Sequence, residues 1–596
     1  MINFSVKKVM SNKTYDKIIE FRIKLYFIII LCGAILILGR YFYLQVIDHQ
    51  KLLASANAEH TFDKILKPQR GEIFIKDKFG EKYAVAINKQ LFTLYAIPAQ
   101  IKDKKSTAKF LADILKIDQA ELYNKLNSNS KSAYLVAKNI NMDTISTILN
   151  KKIDGVYDEE NDVREYPLKN ILAQTIGFVG FDENDNRVGR YGLEKYYNDI
   201  LEGQEGKFVG EKTNEGTWLP FGKQEINAVK DGADLTLTID YSIQIKSQQV
   251  LEETIKKWNA ESGVVIVMDP NDGKILALAG YPSYDPNNFN QVKDFSLFLN
   301  GATQVGFEPG SIFKPFTMAM GLDLGLVTPD TQYEDTGALK FGGYTIKNYD
   351  GKAHGTQTMT GVLEKSLNTG AVFVEQKVGM DNFLKYTSIF KLNEKTGIDM
   401  LETNGSLANL NDRRDINFAT ASFGQGVRLT PIEIIRGFSA IANGGFLIQP
   451  HLLDTIKHST GVEEKTVWPK PQRILKDSTA HDLSAMLVNV VEHGFDKAKI
   501  EGYSIAGKTG TAQIPDSNGR GYLPPDQMIH SFVGFAPAYD PKFLILMKIV
   551  RPKGINFASN SLTPYFRELT NFILQYMQIP PDRPVTSPSP SLTNAN

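Results

Sequence analysis

Three short runs in this chain carry residue types that can do chemistry together: Ser311-Ile312-Phe313-Lys314, Ser366-Leu367-Asn368 and Lys508-Thr509-Gly510-Thr511. A serine of ordinary pKa needs a base before it can attack a carbonyl, and a lysine serves only when neutral. Burial and a second nearby cation both push a lysine toward neutrality. Ser311 and Lys314, three residues apart, share one helical face, and Lys508 offers the second cation. Thr509 beside it adds a hydroxyl, so that the pair could hold a carboxylate by charge-assisted hydrogen bonds.

The Ser-x-x-Lys pattern alone says little, because it occurs at Ser5, Ser106, Ser128, Ser311 and Ser388. Only Ser311 follows a forced turn, Glu308-Pro309-Gly310, and leads into an apolar helix through Phe313, Phe316, Met320 and Gly321. Pro315 is tolerated only near a helix start, which puts Ser311 in or beside the first turn. Lys-Thr-Gly also occurs twice. Lys395-Thr396-Gly397 reads as a structural loop, whereas Lys508-Thr509-Gly510 lies in a strand drawn over 503–512. As a sheet edge, that strand would present Lys508 and Thr509 to an extended peptide. The backbone N–H groups of Ser311 and Thr511 would form an oxyanion hole. Ser366 would pass the lysine's proton to a leaving amine, and Asn368 would hold a substrate amide.

The elements that must position these groups read as an α+β domain. Gly263–Met268 and Lys274–Ala279 form a strand pair across the turn Asp269-Pro270-Asn271-Asp272-Gly273. Strands over 503–512, 531–535 and 543–550 follow much later, then a helix opened by Thr563-Pro564. The pattern predicts a five-stranded, mainly antiparallel sheet packed on the terminal helix, with a helical lobe inserted between strands two and three. A second composition begins near Leu235. Residues 50–230 read as a non-catalytic α/β module with one helix over 106–126. From 579 the Pro- and Ser-rich tail to 596 reads as disordered.

Residues 25–39 are uncharged and apolar, spanning about 22 Å as a helix. Extended through Tyr41, Phe42 and Tyr43 to Val46, the run suffices to cross a bilayer. Six basic residues precede it against Asp16 and Glu20, which places 1–24 in the cytoplasm and the remainder outside. Small-x-small matches at Ala54-Ser55-Ala56 and Ala56-Asn57-Ala58 lie too far from the apolar run for signal cleavage. Lys plus Arg equals Asp plus Glu at 67 each, so charge gives no reason to expect nucleic acid. The single cysteine, Cys32, lies in the apolar run, which excludes an intrachain disulfide and a cysteine zinc cluster. No metal or cofactor is called for.

The ordered set Ser-x-x-Lys, Ser-x-Asn and Lys-Thr-Gly-Thr on an anchored chain resembles a class B penicillin-binding protein, a peptidoglycan D,D-transpeptidase. Arg70-Gly-Glu-Ile73, Arg164-Glu-Tyr-Pro167 and Gly189-Arg-Tyr-Gly-Leu-Glu194 resemble that family's pedestal. Thr238-Ile-Asp240, Gly280-Tyr-Pro282, Asp285-Pro-Asn287, Gly424-Gln-Gly426 and Thr430-Pro431 resemble its catalytic domain, here 235–578. The resemblance implies that Ser311 attacks the penultimate D-alanine carbonyl of a stem peptide and releases D-alanine. An amine on a neighbouring stem then resolves the acyl-enzyme; β-lactams would acylate the same serine. Implied partners are stem peptides on lipid-linked nascent strands, the membrane and, for the division-type subfamily that Gly424–Pro431 suggests, a polytopic septal glycosyltransferase with other division proteins. Leu367 departs from the aspartate of class A β-lactamases. No upstream glycosyltransferase module and no appended C-terminal wall-binding domains are expected. Three alternatives stand beside this reading: an elongation-type transpeptidase, a penicillin hydrolase, for which Glu364 is the nearest carboxylate but reads as solvent-facing, and a β-lactam-binding scaffold or sensor.

Overall fold

The computed structural model describes residues 12–53, 61–184, 186–213, 224–516, 519 and 521–584. Ser5, the small-x-small matches at 54–58 and the tail from 585 lie outside the described residues.

Two units divide the chain. The first, residues 1–68 and 204–230, holds the helix Asn12–Phe42, continued by a π turn Tyr43–Ile47. Asp16–Ile47 is long and apolar enough to cross a membrane, and its side chains, Cys32 included, are exposed along it. The same unit contains an antiparallel three-stranded sheet of Thr61–Leu66, Gly206–Glu211 and Gln224–Asn227.

The second unit, residues 69–203 and 231–596, is built on two sheets. Its antiparallel five-stranded sheet comprises β1 (Ser262–Met268), β2 (Ile275–Tyr281), β3 (Ala506–Gln513), β4 (Met528–Ala536) and β5 (Phe543–Val550), in the order β2-β1-β5-β4-β3. Side chains alternate across it as a pleated strand requires. Val265, Val267, Ile545, Met547 and Phe532 pack toward helix α1 (Tyr241–Trp258) and the terminal helix Thr563–Tyr576. Val264, Ile266, Leu544, Leu546 and Val533 pack toward the inserted helices. Both faces are therefore dry, and β3 is left as an edge.

The inserted lobe carries α2 (Lys314–Asp323), α3 (Met359–Glu364), α4 (Asn368–Val378), α5 (Asp415–Ala421) and α6 (Pro431–Ala442) among its helices. Thr430 and Glu433 form a reciprocal capping box at the start of α6, a physical reason for the Thr430-Pro431 pair. Phe316 of α2 packs edge-on against Phe390 and Phe438, with centroids at 5.2 and 5.1 Å, which fixes the helix that follows Ser311.

One expectation is corrected and two gain detail. The helix drawn over 106–126 is two helices, Lys104–Leu115 and Gln119–Leu126; Lys116 turns left-handed between them (φ +56°), and Asp118 caps the second. The strand Asp234–Asp240, read as opening the second composition, pairs in parallel with Ile73–Lys76 and antiparallel with Leu453–Lys457. A seven-stranded sheet therefore draws strands from both halves of this unit. The tail expected from 579 is held through its first residues: Tyr503 donates to the Ile579 carbonyl at 2.7 Å, Asp582 accepts from the Ser504 N–H at 2.8 Å, and Arg583 pairs with Glu492 at 2.7 Å.

Candidate active site

Ser311 sits in a 3-10 turn, Gly310–Phe313, that runs directly into α2 with Pro315 in its first turn. Two glycines let other chain segments close on that turn. Gly424, at φ +80°, accepts the Gly310 N–H at 3.0 Å, and a Cβ on it would lie 2.3 Å from the Gly310 carbonyl oxygen. Gly510 of β3 is equally constrained, since its Cβ would meet Ser531 Oγ at 2.4 Å and the Pro309 carbonyl at 2.9 Å. The Lys-Thr-Gly glycine thus brings the sheet edge against the serine turn, a packing role that side-chain chemistry does not require.

Beneath the turn the two lysines meet. Lys314 is 1 % exposed and donates to the Ser366 carbonyl at 2.6 Å and to Ser366 Oγ at 3.2 Å. Lys508, fully buried, donates to the same Oγ at 2.9 Å and to the Thr509 carbonyl at 3.2 Å. Its ammonium also lies 5.4 Å from the Phe495 ring. Among the described residues no carboxylate bonds either lysine. Burial, and then the Lys508 charge, push Lys314 well below the ordinary lysine range. Burial alone brings Lys508 down to about 7. Ser366 reaches both amines from a left-handed backbone position (φ +56°), stabilised where Leu367 is fully buried and donates its N–H to the Val362 carbonyl at 2.9 Å. The middle residue of Ser-Leu-Asn is core, which explains a leucine there.

Above lies a cleft of about 1430 Å³ lined by Ser311, Ser366, Asn368, Thr509 and Thr511. Among the described residues the Ser311 hydroxyl has no hydrogen-bond partner. Asn368 spends its amide N–H on the Lys347 carbonyl at 2.8 Å, and Thr511 Oγ1 accepts from the Ala558 N–H at 3.2 Å. Gln425 donates to Gln513 at 3.0 Å, bridging the glycine segment to the end of β3.

The structure changes two details of the expected site. Lys508 is not presented on the edge beside Thr509: adjacent strand residues point to opposite sides, so Thr509 faces the cleft and Lys508 the interior. Glu364, expected to face solvent, lines the cleft at the end of α3, with Lys365 at 3.8 Å. The other matches stay apart from the site. Ser106 and Ser388 lie in helices away from the cleft, Ser128 is exposed, and Glu402 ties the Thr396 and Gly397 N–H groups, both at 2.9 Å. Sequence reasoning missed the functions of Gly424, Gln425 and Phe495. The resemblance of Gly424-Gln-Gly426 to the family's catalytic domain marked the first two without saying what they touch.

Compared with known proteins, residues 263–571 match the penicillin binding protein transpeptidase domain, and residues 65–237 match the penicillin-binding protein dimerisation domain. The chain is 30 % identical over 533 residues to stage V sporulation protein D of Bacillus subtilis, covering 88 % of this chain and 80 % of that one. It is also 30 % identical over 595 residues to the peptidoglycan D,D-transpeptidase FtsI homolog of Mesostigma viride, covering 94 % and 97 %. The crystal structure of penicillin binding protein 2X from Streptococcus thermophilus superposes with a TM-score of 0.75 at 21 % identity, over 86 % of this chain and 80 % of that one, a likeness of fold.

Proposed function

Since the chain belongs to the penicillin-binding protein transpeptidases, we propose that it is a peptidoglycan D,D-transpeptidase working through an acyl-enzyme at Ser311. The observation that carries this reading is the convergence of two buried lysines on one hydroxyl, Ser366, with no carboxylate bonded to them among the described residues. A neutral Lys314 takes the Ser311 proton as the hydroxyl attacks the penultimate D-alanine carbonyl of a stem peptide. The proton passes through Ser366 to the departing D-alanine amine, and the C–N bond breaks as the ester forms. A neighbouring stem's amine then attacks the ester and returns the proton by the same path, releasing Ser311. The N–H groups of Ser311 and Thr511 receive the developing oxyanion. Thr509 meets the substrate's terminal carboxylate, with Lys508 acting from below. The Oδ1 of Asn368, without a partner among the described residues, accepts from the donor's amide.

The catalytic domain in this reading runs over 235–578 and the pedestal over 50–230. The basic residues before the apolar helix put the N-terminus in the cytoplasm and the catalytic domain outside. The resemblance of Gly424–Pro431 to division-type transpeptidases favours a role in division, alongside a polytopic septal glycosyltransferase.

The test is mass spectrometry of the penicillin adduct. Acylation on the peptide bearing Ser311, lost in Ser311→Ala with the fold intact, is expected; an adduct on any other residue overturns the assignment. Glu364 on the cleft wall favours a hydrolase as the second reading. Release of bound penicillin within seconds would establish it, whereas retention for minutes or longer supports the transpeptidase.

A further inference from the structure

Arg414, a guanidinium on the cleft wall, has no work in the mechanism above. Arg414, Asn417 and Thr420 recur every third residue along α5 and its entry, so they share one face, and all three line the cleft. The polar track continues through Gln425, which is bonded to Gln513 at the end of β3. Neighbouring side chains hold this wall in place: Asn417 donates to the Asn409 carbonyl at 2.6 Å, and Asn409 to the Gly426 carbonyl at 2.8 Å. The two adjacent arginines differ sharply. Arg413 is paired with Asp381, whereas the Arg414 guanidinium has no hydrogen bond or ion pair among the described residues, its backbone carbonyl accepting from the Asn417 N–H at 2.9 Å. Of the other charged side chains on the wall, Lys365 lies 3.8 Å from Glu364, and Lys347 and Asp526 have no ion pair among the described residues.

We propose that Arg414 binds a carboxylate of the donor stem peptide, upstream of the bond that Ser311 attacks. This deepens the transpeptidase reading and rests on it. The chemistry is specific to a guanidinium: a planar fork meets a carboxylate through two parallel hydrogen bonds, which an ammonium cannot do. A donor lying in extended form along the open edge of β3 advances about 3.3 Å per residue. Its upstream residues pass the Gln425–Gln513 pair and enter the stretch of cleft that Arg414 walls. The terminal carboxylate at Thr509 and a second carboxylate at Arg414 then fix both ends of the donor, setting its register over Ser311. Benzylpenicillin, which carries only the first of these carboxylates, gains nothing from Arg414.

Single-turnover acylation of the full-length protein in detergent tests this, using two synthetic peptides ending in D-Ala-D-Ala. One carries a free carboxylate upstream, and the other the corresponding amide. Arg414→Gln should lower acylation by the carboxylate peptide about tenfold, as expected for one charge-assisted pair in a partly hydrated cleft. The amidated peptide and benzylpenicillin should be unaffected. Arg414→Glu should reverse the preference. Equal losses for both peptides, no loss for either, or a selective loss in Lys347→Met in place of the arginine variant would overturn the proposal. So would an effect confined to transfer onto the acceptor amine. Failure of penicillin to acylate the unmodified protein at Ser311 would instead sink the underlying reading, so the two failures are separable.

Discussion

Two buried clusters in the same unit hold two basic side chains each, and they resolve the cost of burial in opposite ways. In the pedestal, Arg70 and Arg164 clasp the fully buried Glu194 at 2.7 and 2.8 Å. Burial alone would raise that carboxyl's pKa, but the Arg164 and Arg70 charges outweigh it and hold Glu194 below the usual range. Beneath the cleft, Lys314 and Lys508 share only the Ser366 hydroxyl, and burial drives both toward neutrality. Arginine stays charged under these conditions, whereas lysine gives up its proton readily. One cluster is a fixed ion network that ties 70, 164 and 194 together across the pedestal. The other is a store of basicity, and the absence of a carboxylate is what creates it.

The contrast can be broken in three places. The largest effect is expected from Lys314→Met, which removes the base and should slow penicillin acylation by about 10²–10⁴-fold. Urea unfolding of the same variant should show equal or greater stability, because a costly buried amine is gone. Acylation within a few-fold of the unmodified protein would contradict the assignment. Next comes Glu194→Gln, which strands the buried Arg164 and the mostly buried Arg70 guanidiniums and should cost about 3–5 kcal/mol of unfolding free energy. Acylation per folded molecule should be unchanged; a loss of stability well under 1 kcal/mol would erase the distinction between the clusters.

The subtlest effect belongs to Lys508→Met. Removing that charge raises the Lys314 pKa, so the acid limb of the acylation profile should move to higher pH. An unmoved or acid-shifted limb would contradict the coupling. The same variant sharpens the stability comparison. Lys508 has a folded pKa of about 7 against an ordinary 10.5, so the unfolded chain binds more protons between those values. Stability should therefore rise with pH across about 7 to 10.5, with the penalty fully present below 7. Urea midpoints measured against pH should lose that component in the variant.

Much of this arrangement was legible in the sequence because it is local. Ser311 and Lys314 sit one turn apart behind Pro309-Gly310, and β5 occupies 543–550 as its apolar run, interrupted by Lys548, predicts. The inserted lobe followed from strands separated by a long helical middle. What escaped depends on contacts between distant segments. Nothing in Lys508-Thr509 says which of two alternating residues turns inward; the sheet's two dry faces decide it. Gly424 matters because Gly310, more than a hundred positions earlier, passes against it. The strand Asp234–Asp240 sets Leu235, Leu237 and Ile239 on one face whichever sheet receives it, so its pairing with Ile73–Lys76 was invisible. Glu364 looked solvent-bound because a helix end gives no sign of facing a cleft.

The central claim is that Lys314 is an uncharged amine at working pH, and nitrogen NMR of lysine-labelled full-length protein in detergent tests it most directly. The Lys314 Nζ resonance, assigned by its loss in Lys314→Met, should report a neutral amine at pH 8. A signal that stays protonated up to pH 10 would contradict the account.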